Sequence, residues 1–352
     1  MKMKHIHLLI LVSLLAVILS ACTSQAGASN SWSGVLLTEK VVYYAGGNQV
    51  TALNSENGNV FWRYPEKTAA TRLFYAEPVL VGDQLIAVDY DKKIASINAQ
   101  TGAQTWMFEG AKGRYIDSPV VVDNLIIAPN TDHKLYAVDL SGNLVWSFES
   151  DHALWARPAT DGTTVFFPSM DRNLYALDVA TGTLKWKTDL RTSSVARALL
   201  ADGVLYLGNL DGTFFAVSAE DGKIIWEQKV GGGVWVQPIL HDGKLYFGDQ
   251  TGRINILNSV DGEIVQYVET GSTIVGAGAL LDDGLVFGNE KGELVFIGFD
   301  GERKWTRSFD GMIYANLQRL GNRLMVSLNK ADKPLIALDT NGNEIWYFDG
   351  KK

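Results

Sequence analysis

Short apolar runs, bounded by Gly, Asp or Asn, recur along nearly the whole chain. Typical examples are Gly203-Val-Leu-Tyr-Leu-Gly208 and Lys244-Leu-Tyr-Phe-Gly248. Other runs alternate apolar and polar positions. Runs of this length with such boundaries predict strands, and no stretch beyond residue 21 holds a helical period for about twelve residues. In the second stretch of the pattern the expected strands are Pro78 to Val81, Leu85 to Asp89, Ile94 to Asn98 and Thr105 to Phe108. These are labelled A to D from the first to the last.

The runs are organised by a repeated phrase, cleanest as Leu174-Tyr-Ala-Leu-Asp-Val-Ala-Thr-Gly182-Thr-Leu-Lys-Trp186. Seven tryptophans stand four residues after its glycine: Trp62, Trp106, Trp146, Trp186, Trp226, Trp305 and Trp346. The first five are spaced 44, 40, 40 and 40 apart, an eighth phrase carries Gln266 in place of Trp, and steps of 39 and 41 complete the series. A repeat near 40 residues has the size of one four-stranded propeller blade. Eight segments serve as strand A, beginning near Gly34, Glu77, Ser118, Arg157, Arg197, Gln237, Gly278 and Asn316, and eight serve as strand D. The fold expected is all-β, an eight-bladed propeller of four-stranded antiparallel blades over residues 32–350, closed by docking whole first and last blades. Within the phrase, Asp178 is expected to accept hydrogen bonds from turn amides and Gly182 to take φ > 0. The seven tryptophans are expected to dock blade against blade, each indole N–H finding a backbone partner.

The phrase Asp-x-x-Thr-Gly-x-x-x-Trp resembles the repeat of pyrroloquinoline-quinone-type propellers, and among these it is most similar to the BamB-like family of outer-membrane assembly lipoproteins. The resemblance runs from about Trp32 to Phe348. It specifies a fold rather than an activity. The WD40 repeat is a weaker match, since no Trp-Asp dipeptide occurs. The copies also depart from the phrase: Asp221 replaces Thr in the fifth, Ser141-Gly142 and Asp300-Gly301 come one residue early, and the first has Asn54 and Glu56-Asn57.

Residues 1–21 read as a signal peptide: Lys2 and Lys4 precede an apolar run from Leu8 to Leu19, followed by Ser20-Ala21. Leu19-Ser20-Ala21-Cys22 resembles a bacterial lipobox. That implies cleavage before Cys22, its lipidation, and several acyl chains, since one alone anchors weakly. A plain signal peptide with an incidental Cys is the alternative. Residues 22–31 then read as the lipidated Cys and a flexible tether. By the same resemblance, Thr23 lacks the aspartate that retains lipoproteins at the inner membrane. The expected place is the inner leaflet of an outer membrane facing the periplasm, or the outer face of the plasma membrane in a single-membraned cell.

Composition narrows the function. Without Lys2 and Lys4, 29 basic residues face 39 acidic ones, about −10 in net charge, with no basic cluster for nucleic acid. Cys22 is the only cysteine, so no disulfide forms within the chain. His133, His152 and His241 lie in separate repeats, and no zinc spacing, nucleophile elbow or phosphate loop occurs. Asp89-Tyr-Asp91 and Asp282-Asp283 read as turn and edge charges, and Asp132, Asp171, Asp211 and Asp249 as turn formers between strands B and C. Enzymes of the resembled propeller class hold their quinone with calcium, many of them beside a ring of adjacent cysteines. No such Cys pair exists here. No cofactor, metal or catalytic residue is therefore expected, and a quinone-dependent dehydrogenase is disfavoured.

One place invites binding. Just before strand A the repeats align in a column, Trp32, Tyr75, Ile116, Trp155, Val195, Trp235, Gly276 and Tyr314. Two residues on comes Gly34, Glu77, Ser118, Arg157, Arg197, Gln237, Gly278 and Asn316. A spacing of two puts both columns on one strand face, gathered at one mouth of the central channel. Arg157 and Arg197 are placed to grip a carboxylate or phosphate, with Glu77 open to a base. The plainer alternative is that the aromatics fill gaps and the arginines bind loop carbonyls. The functional expectation is a non-catalytic, membrane-anchored scaffold for envelope proteins. Its implied partners are the β-barrel assembly machinery or its clients. The alternative is a lipoprotein whose funnel binds a small anion or a peptide.

Overall fold

The computed structural model describes residues 33–350. The signal segment, Cys22, the tether and Trp32 lie outside the described residues. Thirty-two strands, numbered β1 to β32, form eight four-stranded sheets, each in simple sequence order. The sheets are antiparallel and arranged in a ring, an eight-bladed β-propeller. The fourth blade shows the plan: β13 (Ala159–Thr160), β14 (Thr164–Pro168), β15 (Asn173–Asp178) and β16 (Leu184–Asp189) run from the channel outward. Inner strands are short, as few as two residues in β13. The first starts at Gly34 as expected; the other seven start later than the sequence suggests, because Arg157 and its counterparts in those blades precede the ladder.

Burial follows position in the blade. All five residues of β14 are buried, as are the central four of β15, while β16 alternates exposed and half-buried residues. The second and third strands are covered on both faces by neighbouring blades, so they read as continuous apolar runs. The outer strand buries one face only. The apolar core accordingly divides into clusters shared between successive blades, such as Phe166, Leu174 and Ala176 of the fourth with Leu205, Leu207 and Phe215 of the fifth.

The repeated phrase builds each joint from two blades. Trp62, Trp106, Trp146, Trp186, Trp226 and Trp346 each donate from Nε1 to the first carbonyl beyond the third strand of the next blade, at 2.9–3.1 Å. Gln266 donates from its amide at 3.1 Å to Asp300 O, one carbonyl further on. The next blade's turn glycine closes on the ring. Gly182 has φ 69°, and a Cβ there would stand 2.6 Å from Trp146 Cε3. Its two requirements, positive φ and no side chain, come from different blades.

Each fourth strand carries a bulge next to its tryptophan or Gln266, with one extra residue such as Lys185 between Leu184 and Trp186. The third-strand residue across from it sets the seat. That facing residue is Ala52, Ser96, Ala137, Ala176, Ala216 or Ala337 in six blades, small enough to admit an indole. Ile256 faces Gln266, adding the bulk the amide lacks. Phe296 faces Trp305 and occupies its seat. Trp305 instead stacks on Phe296 at 5.2 Å between centroids, and among the described residues it alone of the seven makes no joint hydrogen bond.

The ring closes as its other joints do. Blade one, β1 (Gly34–Leu37) to β4 (Val60–Tyr64), and blade eight, β29 (Gln318–Leu320) to β32 (Glu344–Phe348), are each complete from one end of the chain. Val35, Leu37, Val42, Tyr44 and Leu53 pack on Met325, Leu335, Trp346 and Phe348. Trp346 bonds Ser55 O at 3.0 Å, and Arg323 bonds Ser55 Oγ at 2.6 Å. The longer step between Trp62 and Trp106 is absorbed before the second blade. There Arg72 pairs with Asp89 at 2.7 Å and reaches Tyr64 Oη at 2.9 Å. Asp89 is thus a buried ion-pair partner, 1% exposed, as well as the turn residue its position suggested, since its Oδ1 accepts from Lys93 N at 3.0 Å.

Candidate functional site

The segment entering each inner strand is pinned by backbone bonds to the preceding blade. Leu154 N donates to Asn130 O, Val234 N to Asn209 O, Ile274 N to Asp249 O and Ile313 N to Asn289 O. Extended backbone beyond the pin alternates faces. Leu154, Ala156 and Pro158 are buried, while Trp155 and Arg157 are half-exposed toward the other side. The same register makes Val275, not Gly276, the seventh member of the aromatic column, and Val275 lines the channel cavity.

That cavity is lined by Trp155, Val195, Arg197, Trp235, Gln237, Val275, Tyr314 and Asn316, with Ile116 and Asp117, and encloses about 490 Å³ including its mouth. A second, of about 260 Å³, is lined by Ser33, Gly34, Tyr75, Glu77 and Asn316 among others. The two share Asp117, Arg197 and Asn316, which stand between them. Of the candidates, Tyr75, Glu77, Trp155, Arg197, Trp235, Gln237, Tyr314 and Asn316 border one or both. Arg157 lines an adjoining groove with Pro158 and Thr160.

Sequence reasoning missed Asp117. It sits in a buried column otherwise filled by small or apolar residues, Ser33, Ala76, Ala156, Ala196, Val236, Gly276 and Ala315, and is 7% exposed. A carboxylate in such a column was the signal. Asp117 Oδ2 accepts from Arg197 Nε at 2.8 Å and Arg157 N at 2.8 Å, and Oδ1 from Ser118 N at 2.7 Å and from Arg197 Nη2. Glu77 takes Arg157 at 3.3 Å and Arg197 at 3.5 Å. Two guanidinium groups and two carboxylates from four consecutive blades therefore balance one another. The charges expected to clamp an incoming anion are engaged within the protein.

Electrostatics agree with that balance. Burial alone would raise the Asp117 carboxyl, but the Arg197 guanidinium and the amides of Ser118 and Arg157 hold it below the usual carboxylate range. Burial works against the Arg197 charge, and Asp117 and Glu77 outweigh it, pushing its pKa up. Arg157 moves down, through burial and then repulsion by Arg197. The opposite side of the mouth is mostly uncharged, with the Glu290 carboxylate beside the Tyr314 hydroxyl. Gln237 Nε2 donates to Ala198 O at 3.2 Å, Ala277 N donates to Asn316 Oδ1 at 2.8 Å, and Tyr314 Oη donates to Met312 Sδ at 3.1 Å. Trp235 Nε1 is buried with no partner among the described residues.

These residues do not fit a quinone with calcium. The mouth's two carboxylates are spent on arginines, and no group of three His, Cys, Asp or Glu side chains able to hold a metal ion occurs among the described residues. The fold brings His133 and His152 to a ring contact of 5.8 Å, and stacks His241 on Phe299 at 4.0 Å. The Asp132 and Asp171 turns are hooked by Tyr136 and Tyr175 at 2.7 and 2.8 Å.

Known proteins place this geometry. No curated protein sequence matches the chain. Among solved structures, BamB from Moraxella catarrhalis superposes with a TM-score of 0.75 at 16% identity, covering 86% of this chain and 94% of that one. The computationally designed Ika8 protein superposes at 0.77 and 13% identity, covering 89% and 98%. Both likenesses are of fold. The family model described as outer membrane protein assembly factor BamB matches residues 23–153 and 131–273. That match spans more than half the sequence and coincides with the joints built from Trp62 to Trp226, so the chain belongs to the BamB family of β-propellers.

Proposed function

We propose that the protein is a non-catalytic scaffold of the cell envelope, held to a membrane through lipid on Cys22, that docks other proteins during assembly of outer-membrane β-barrels. The family match carries this reading. The mouth supports it: its strongest acids and bases neutralise one another, and none is poised for proton transfer to a substrate. The rim supports it too. Outer strands leave backbone edges facing outward, and Val145, Ile225, Val265, Tyr267 and Tyr347 are about half exposed on them. Such edges accept an added strand. Native envelopes crosslinked and purified through this chain test the proposal. It expects barrel-assembly proteins to be captured, and captured less by Cys22→Ser. Recovery of no envelope protein, or a substrate turned over by the purified chain, would refute it.

A further inference from the structure

We infer that the channel mouth is a seat for a short uncharged peptide segment, taking one aliphatic side chain and its neighbouring backbone. This rests on the scaffold reading only for the identity of the segment's owner, a partner protein.

Three observations lead there. The first is the orphaned donor: Trp235 Nε1 is buried, lines the larger cavity, and has no acceptor among the described residues. A buried N–H without a partner costs about 1–3 kcal/mol, so an occupant offering a carbonyl oxygen gains what the empty cavity forfeits. The second is the wall: Val195, Val275 and Ile116 give apolar surface beside Trp155 and Tyr314. The third is charge. With Glu77, Asp117, Arg157 and Arg197 closed on one another, an added carboxylate would have to break a buried pair.

Those features select among ligand classes. A free carboxyl terminus or another anion brings a charge that the mouth has no open partner for. A saccharide presents hydroxyls around its ring. Asp117 has committed both oxygens, and Gln237 and Asn316 have each committed an amide atom, so much of a sugar's hydrogen bonding would be lost. An internal peptide segment needs fewer polar contacts: one carbonyl accepts from the indole, and the side chain fills the space between the valines.

The test uses the full chain in detergent, indole-15N labelled, titrated to millimolar with N-acetyl-Gly-Leu-Gly-amide. The expected result is a selective shift of the Trp235 indole N–H resonance. Trp235→Phe keeps the ring and removes the donor, and weakens binding about 5–10-fold, the value of one hydrogen bond. Val275→Trp fills the seat from the adjoining blade and abolishes binding, so one misfolded variant cannot decide the matter. Both variants should also lose crosslinked envelope partners. No shift with the capped peptide overturns the inference. So does tighter binding of the uncapped peptide or of methyl glucoside. Peptide binding lost in both variants while partner capture persists also overturns it, and leaves the scaffold reading standing on another surface.

Discussion

Asp117 is the residue on which the mouth depends. Its counterparts in the repeat are small or apolar, and it is tolerated because Arg197 reaches it from two blades away and the amides of Ser118 and Arg157 donate to it. Removing it leaves the buried Arg197 guanidinium with Glu77 as its only carboxylate, at 3.5 Å, and losing one member of a buried pair costs up to about 3–5 kcal/mol. Asp117→Ala should therefore lower the urea midpoint by that equivalent, and Asp117→Ala with Arg197→Met should recover much of it. The pH dependence has a definite sign. Because folding lowers this pKa from 3.8, the stabilisation is complete above that value and is lost as pH falls through the folded pKa. Thermal midpoints measured from pH 5 to pH 2 should fall more steeply for the native chain than for Asp117→Asn. Gly182→Ala is the second residue-scale test: the left-handed turn costs about 1–2 kcal/mol, and the new methyl also meets Trp146.

At the scale of the element, the joint between blades is a set of three parts: an indole, a small residue facing it, and a glycine from the next blade. Trp186→Ala should cost about 3 kcal/mol, the lower end for a large aromatic because the ring is only partly buried. Trp305→Ala should cost less, since that ring makes no joint hydrogen bond. The sixth blade allows a stricter test. Gln266→Trp alone should destabilise because Ile256 holds the space, and Ile256→Ala alone should leave a void. Together they should restore the common joint, with a coupling of about 0.5–3 kcal/mol in a denaturation double-mutant cycle. The tryptophan period and the alternation before each inner strand were legible in the sequence, because both are local and repeat eight times. Pairings across the channel were not. Arg197 meets Glu77 and Asp117 at separations of 120 and 80 residues, and nothing local says which blades face each other at that depth. The seventh blade hid a further detail: Val275 rather than Gly276 faces the channel, a one-residue difference settled by the Ile274 backbone bond.

For the whole molecule, the relevant fact is that the apolar core is distributed. Each cluster belongs to two blades, so no blade owns a core of its own. Cooperative unfolding should follow, with calorimetric and van't Hoff enthalpies in agreement, although the chain is long enough for two domains. A circular permutant opened at Asp202-Gly203, with the old ends linked, should fold. The first and last blades already touch through Tyr44 and Phe348, at 5.8 Å between ring centroids. A permutant that failed to fold would show that chain order matters beyond joint chemistry.

Closure by two whole blades has a consequence for the chain while it is still being made. Seven joints can form in the order in which the blades emerge, but the eighth must wait for Trp346 and Phe348. Until then Val35, Leu37, Val42, Tyr44 and Leu53 present a greasy flank with nothing to cover it. A polypeptide stopped short of blade eight carries that flank for good, marked as unfinished and open to chaperones and proteases. Arrival of the last strand hides the mark, and the finished ring becomes its own certificate of full length.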